Sequence, residues 1–183
     1  MATLEWSEAL VLNVPIMDET HREFVDLLTE VENAADEALL PLWQALISHT
    51  EAHFGQEDRW MQATGFAADN CHSTQHKVVL DIMREGAKCC AEGDCSMVRG
   101  MTPELADWFS YHAQTMDAAL AQHMGSVGFD PATGAVSNAQ ALPEGLISGC
   151  GGACSKQDDH EQHAAQVDKV AQQAQAVSAA GSA

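Results

Sequence analysis

Ionisable side chains recur along this chain at helical spacing, in register with apolar residues. In "HTEAHFGQEDRWM", residues 49–61, His53 and Glu57 stand four apart and share a helix side with Leu42, Leu46, His49 and Trp60. The pattern returns with His21 in "DETHREF", His72 and His76 in "HSTQH", and His112 and Asp117 in "HAQTMD". Imidazoles and carboxylates are expensive to bury without partners. The chain must therefore leave four amphipathic stripes in water or bring these side chains together around something that needs them. That requirement constrains the fold more than any other feature.

Four helical segments carry the stripes. The first follows Asp18 as N-cap and runs through Phe24, Leu27, Leu28 and Val31. The second begins around Pro41, and Gly65 suits its C-terminal stop. The third starts near Asn70, with His72, His76, Val79 and Met83 on a common face. The fourth reads as Thr102 cap, Pro103 in the first turn and Glu104 at the positive end of the dipole, continuing through Leu105, Trp108, His112 and Ala119. No alternating pattern calls for a sheet. The joins are short except for residues 89–101, which predicts an all-α, antiparallel up-down four-helix bundle. The N-terminal arm "LEWSEALVLNVPIM" is expected to lie across it, anchored by Trp6.

Composition changes near Gly125, where Gly, Ala, Ser and Pro take over. This divides the 183 residues into a folded domain, 1–125, and a low-complexity tail, 126–183. The tail is expected to be flexible and largely disordered, with room for a short helix near 160–179. It carries Cys150, Cys154, His160 and His163 in a C-x3-C-x5-H-x2-H pattern. That spacing departs from the usual zinc finger, so a zinc site and a Cys150–Cys154 thiol switch both rank below a tail with no fixed role.

Charge narrows the function. With 27 acidic against 8 basic residues, the net charge is −19, which disfavours nucleic acid and anionic membranes as partners. The start "MATLEWSEAL" lacks a basic region followed by an apolar run, and no stretch suits a membrane span, so a cytoplasmic location is expected. In that compartment the six cysteines are expected to be thiols, with Cys71 a buried, inert one.

At about 100° per residue, helix positions four apart diverge by only about 40°, so His53 with Glu57 and His72 with His76 can each reach one centre. His112 and Asp117 are five apart and diverge by about 140° on an ideal helix. That pair works only if its side chains straddle the site or the helix is locally widened. Seven such groups exceed what one tetrahedral zinc uses, and imidazole with carboxylate also suits iron and copper. Two octahedral ions bridged by two carboxylates and one oxygen use all seven and leave a single position open for a small molecule. Iron is the metal whose redox chemistry would use that position. His49 reads as an outer partner of the site or a solvated-face residue. His123 suits the negative end of its own helix dipole.

The order H…HxxxE…HxxxH…HxxxxD, together with "EDRWMQATGF", resembles the hemerythrin signature, specifically that of bacterial hemerythrins, over residues from about 6 to 125. The resemblance implies two Fe ions cycling between Fe(II) and Fe(III) and bridged by hydroxide or oxide. His72, His76 and His112 would hold one iron, His21 and His53 the other, and Glu57 and Asp117 would bridge them. It also implies O2 as the ligand, bound at the two-histidine iron with transfer of two electrons. The net charge of the centre is the same before and after binding, which suits reversibility in an apolar pocket. Ile16, Leu27, Leu28, Phe54, Trp60, Phe109 and Met116 are candidates for its walls.

The expected function is an oxygen carrier, store or buffer rather than an enzyme. The rivals are an O2 or redox sensor, and a di-iron enzyme acting on nitric oxide or peroxide or repairing iron centres. The chain has no Glu-x-x-His unit of the kind that carboxylate-rich di-iron proteins use, which weighs against oxygen activation. Iron storage is weaker still, because the bundle offers no evident cage.

Overall fold

The computed structural model describes residues 3–149. Four rods form the bundle. The first three are α1 (Pro15–Asn33), α2 (Asp36–Ala63) and α3 (Cys71–Ala91). The fourth is compound: α4 (Ser96–His112), a π-helical stretch (Ala113–Asp117) and α5 (Ala118–Val127). Consecutive rods pack together and α1 also meets α4, closing the ring.

Local chemistry sets the ends. Asn70 caps α3 in a reciprocal box: its carboxamide accepts from Ser73 N at 3.0 Å, and Ser73 Oγ accepts from Asn70 N at 3.1 Å. Gly65 follows α2 with φ +98°, a left-handed turn that suits glycine.

Three helix starts differ from the sequence reading. Pro15 opens α1, so Asp18 lies inside its first turn, where its carboxylate accepts the Leu12 N–H at 2.7 Å. α2 starts at Asp36, with Asp36 and Glu37 at its positive end and Pro41 inside it. α4 begins at Ser96 rather than Thr102. The Thr102 hydroxyl donates to Val98 O at 2.8 Å, and burial of Met97, Val98 and Met101 keeps the chain helical through Pro103. Tertiary packing here overrides a strong local start signal.

The N-terminal arm crosses the bundle as expected, but Leu10 is its buried anchor. Trp6 is only partly buried and lies under the Arg22 guanidinium, 5.0 Å from its ring centre.

Ordered structure passes residue 125, which falls inside α5. Gly128 ends that helix at φ +61°, and a small antiparallel hairpin follows, β1 (Phe129–Asp130) with β2 (Ala135–Val136). The chain then returns to the α2–α3 loop. Phe66 bridges to Ile147, Ile147 N donates to Gly65 O at 3.0 Å, and Cys71 N donates to Ser148 O at 3.2 Å. Buried Val127 and Phe129 account for the difference: they continue the apolar face of α5 onto Phe66. The short helix expected at 160–179 and the Cys150, Cys154, His160 and His163 pattern lie outside the described residues.

The cysteines also differ from expectation. Cys90 and Cys95 form a disulfide across the α3–α4 turn, and Cys71 is disulfide-bonded as well. Among the described residues Cys89 is the free thiol. Spacing alone hid the Cys90–Cys95 pair, because the turn between them comes from Gly93 at φ +103°. No described helix is long and apolar enough to cross a membrane.

The core has two apolar clusters. The larger gathers Phe24, Leu28, Phe54, Val79, Trp108 and Phe109. The smaller gathers Met17, Trp60, Met61, Phe66, Leu120 and Met124. The polar residues flagged by the sequence lie along the same rods as both clusters.

Candidate metal centre

All seven flagged residues converge. His21 comes from α1, His53 and Glu57 from α2, His72 and His76 from α3, His112 from the end of α4, and Asp117 from the end of the π-helical stretch. Each is at most 3 % exposed. The π-helical winding solves the spacing problem of the fourth rod. Its wider turn brings His112 Nε2 within 3.2 Å of Asp117 Oδ1.

The donors sort into two groups that share both carboxylates. In the first, His72 Nε2 and His76 Nε2 stand 3.0 and 3.3 Å from His112 Nε2. Glu57 Oε2 is 3.4 Å from His72 and from His76, and Asp117 Oδ1 is 3.0 Å from His72. In the second, His53 Nε2 lies 3.0 Å from Glu57 Oε1, and His21 Nε2 lies 3.3 Å from Asp117 Oδ2. Each carboxylate thus turns one oxygen to each group.

These separations fit metal ions. Neighbouring donors around a six-coordinate ion with bonds of about 2.1 Å are roughly 3 Å apart. Hydrogen bonding within the protein does not satisfy the cluster: His21 Nε2, Glu57 Oε2 and both Asp117 oxygens are buried without a hydrogen-bond partner. A cation between the donors would satisfy them.

The electrostatics agree. Burial opposes ionisation of Glu57 and Asp117, yet the surrounding imidazoles hold both well below the usual carboxylate range. Burial also opposes charge on His21 and His72, but pairing with Asp117 and Glu57 outweighs it and pushes each up to about 9. His112 goes the other way, to about 3, because burial dominates. Two carboxylates therefore face two imidazoles that readily take protons in place of a cation.

Aromatic rings fix the ligand planes. Phe54 stacks on His76 with centroids 3.8 Å apart, Trp108 stacks on His112 at 4.4 Å, and Phe109 meets His21 edge-on at 5.2 Å while stacking on Phe24. Of the wall residues expected from sequence, Phe54 and Phe109 touch the histidines directly, and Met116 lines a small cavity beside His72. Sequence reading missed Phe24 and Trp108 as walls. Both stood in the helical stripes, but nothing in the spacing singled them out.

The other histidines stand apart. His49 is in neither donor group; it is half-buried, with Nε2 3.1 Å from Thr20 O. His123 Nε2 lies 2.9 Å from Thr64 O, so it serves the end of α2 rather than its own helix. Asp58, also missed, faces His76 Nδ1 at 3.3 Å.

A four-helix bundle with a buried histidine–carboxylate cluster able to hold metal defines a class of non-haem metal-binding proteins. The Hemerythrin HHE cation binding domain family matches residues 12–124. The chain belongs to the hemerythrin family. It is similar to the bacteriohemerythrin of Ralstonia nicotianae, with 35 % identity over 130 residues covering 71 % of this chain and 95 % of that protein. The bacteriohemerythrin of Methylococcus capsulatus is 24 % identical over 64 % of this chain and 93 % of its own. That of Stenotrophomonas maltophilia is 22 % identical over 68 % and 83 % respectively. No solved structure gives a significant match.

Proposed function

We propose that this chain binds O2 reversibly at a pair of irons held by His21, His53, Glu57, His72, His76, His112 and Asp117, and so carries, stores or buffers oxygen. One observation carries the reading: two donor groups share both carboxylates, and one group is a donor short. The first offers five ligand atoms, from Glu57, His72, His76, His112 and Asp117, while the second offers four, from His21, His53, Glu57 and Asp117. The deficit leaves room for a small ligand on the two-histidine side. The bound iron pair would supply two electrons to O2 and recover them on release.

The protein's own contribution is placement and exclusion. Glu57 and Asp117 hold the two groups at a fixed separation because each is anchored on a packed rod. Phe54 and Phe109 are buried against the ligand rings, with Phe24 stacked behind Phe109, and keep water from competing there. Five neutral imidazoles with two carboxylates supply little anionic charge to support high-valent iron. That favours binding over oxygen activation.

Stopped-flow mixing of the anaerobic ferrous protein with O2, followed by removal of the gas, tests the proposal. A charge-transfer band that appears and then reverses supports it. Irreversible oxidation with released product contradicts it.

A further inference from the structure

The imidazoles of the two donor groups differ one by one in what lies behind them. On the two-histidine side, His21 Nδ1 and His53 Nδ1 are buried with no hydrogen-bond partner in the protein. On the three-histidine side, His76 Nδ1 faces the Asp58 carboxylate, Oδ1 at 3.3 Å. Asp58 follows Glu57 directly on α2. Because successive helix positions point about 100° apart, Glu57 enters the bundle while Asp58 lies on its flank and reaches across to α3. The Asp58 side chain is 38 % exposed and that of His76 only 2 %.

We infer that Asp58 is a positioning residue for the metal centre, fixing His76 as the Nδ1–H tautomer with its Nε2 lone pair aimed at the three-histidine site. The inference rests on the proposed ligand role of His76. A neutral imidazole that donates from one nitrogen must present the other as acceptor or ligand, so the carboxylate settles which nitrogen faces the metal. Phe54 stacks on the His76 ring at an interplanar angle of 4°, which sets its plane, and Asp58 then sets its polarity. A carboxylate behind an imidazole also makes it a stronger donor. His76 would therefore favour the ferric state of an iron that it holds.

The test uses the full chain with Asp58→Ala and Asp58→Asn. Nitrogen-15 NMR of the metal-free protein reads the His76 tautomer, and a redox titration of the iron-loaded protein reads the potential. In wild type, His76 is Nδ1–H. Asp58→Ala loses that preference, binds iron roughly 10–100-fold more weakly in competition with a ferrous chelator and titrates at higher potential. Asp58→Asn, whose carboxamide oxygen still accepts, keeps the tautomer but shifts the potential in the same direction. If Asp58→Ala leaves either the tautomer or the potential at its wild-type value, the inference is overturned. Failure of wild type to load iron would refute the proposed function instead, and the tautomer measurement would still judge Asp58.

Discussion

His112 and Asp117 stand five residues apart and meet at 3.2 Å because the chain between them is wound as a π-helix. On an ordinary helix they would point about 140° apart. The local widening lets one rod supply both a terminal imidazole and a carboxylate that reaches both donor groups. π-helical turns are rare and concentrate at functional sites, which fits this position.

Asp117 gives an oxygen to each group, so Asp117→Ala weakens both. Iron affinity, measured by competition with a ferrous chelator, should fall by more than the roughly 10–100-fold typical of a residue one step removed from a metal. Thr115→Ala, in the same turn but with its hydroxyl donating to Tyr111 O at 2.7 Å, should retain full iron. Equal iron loss in the two variants would assign the role to the turn rather than to the carboxylate.

The metal-free protein should be most stable near neutral pH. His21 and His72 have folded values near 9, above the ordinary 6.5. Their stabilisation is complete below about 6.5 and is lost as pH rises through about 9. His112 at about 3 works in the opposite sense: burial keeps it neutral, so its contribution is present above about 6.5 and lost as pH falls toward 3. The depressed carboxylates Glu57 and Asp117 add to the acid-side loss. Chelator-treated protein unfolded in urea at pH 3, 7 and 9.5 should show a maximum at the middle value. Iron affinity should instead rise from pH 7 to 9, because the metal displaces the protons on His21 and His72.

How much of this could be read from the sequence differs by element. The seven cluster residues were legible because helical spacing is local and buried ionisable groups are costly. The need for widening between His112 and Asp117 was legible for the same reason. The start of α4 was not, since Thr102-Pro103-Glu104 imitates a helix opening and only packing of Met97, Val98 and Met101 overrides it. Neither was the return of Ile147 to Phe66, a pairing 81 positions distant in the chain that no local pattern encodes. Asp58 was quoted in the motif yet carries meaning only once α3 lies beside α2.

Residues 126–149 should be part of the stable unit. A chain ending at Gly149 keeps Val127, Phe129 and Ile147 in place and should melt well above one ending at Gly125. One ending at Gly125 loses Val127, Phe129 and Ile147 and uncovers Phe66, costing about 1.5–3 kcal/mol for each fully buried side chain lost. Thermal unfolding of the two truncations decides the point: the shorter chain should melt well below the longer, and equal melting would contradict it.

Reduction of the Cys90–Cys95 disulfide should destabilise the fold without releasing iron. A loop this short implies about 2 kcal/mol by the chain-entropy relation. Cys90 is 14 residues along α3 from His76, or about 21 Å of helix, so the donors should not feel the change. The variant Cys90→Ser with Cys95→Ser should melt several degrees lower and keep its full iron content. Loss of iron would show that the turn and the site are coupled.

The central claim is that Glu57 and Asp117 join two ligand groups into one two-iron centre. Anaerobic reconstitution with ferrous salt, desalting and iron analysis per chain tests it most directly. The account predicts two irons retained in wild type; one iron or none retained would contradict it.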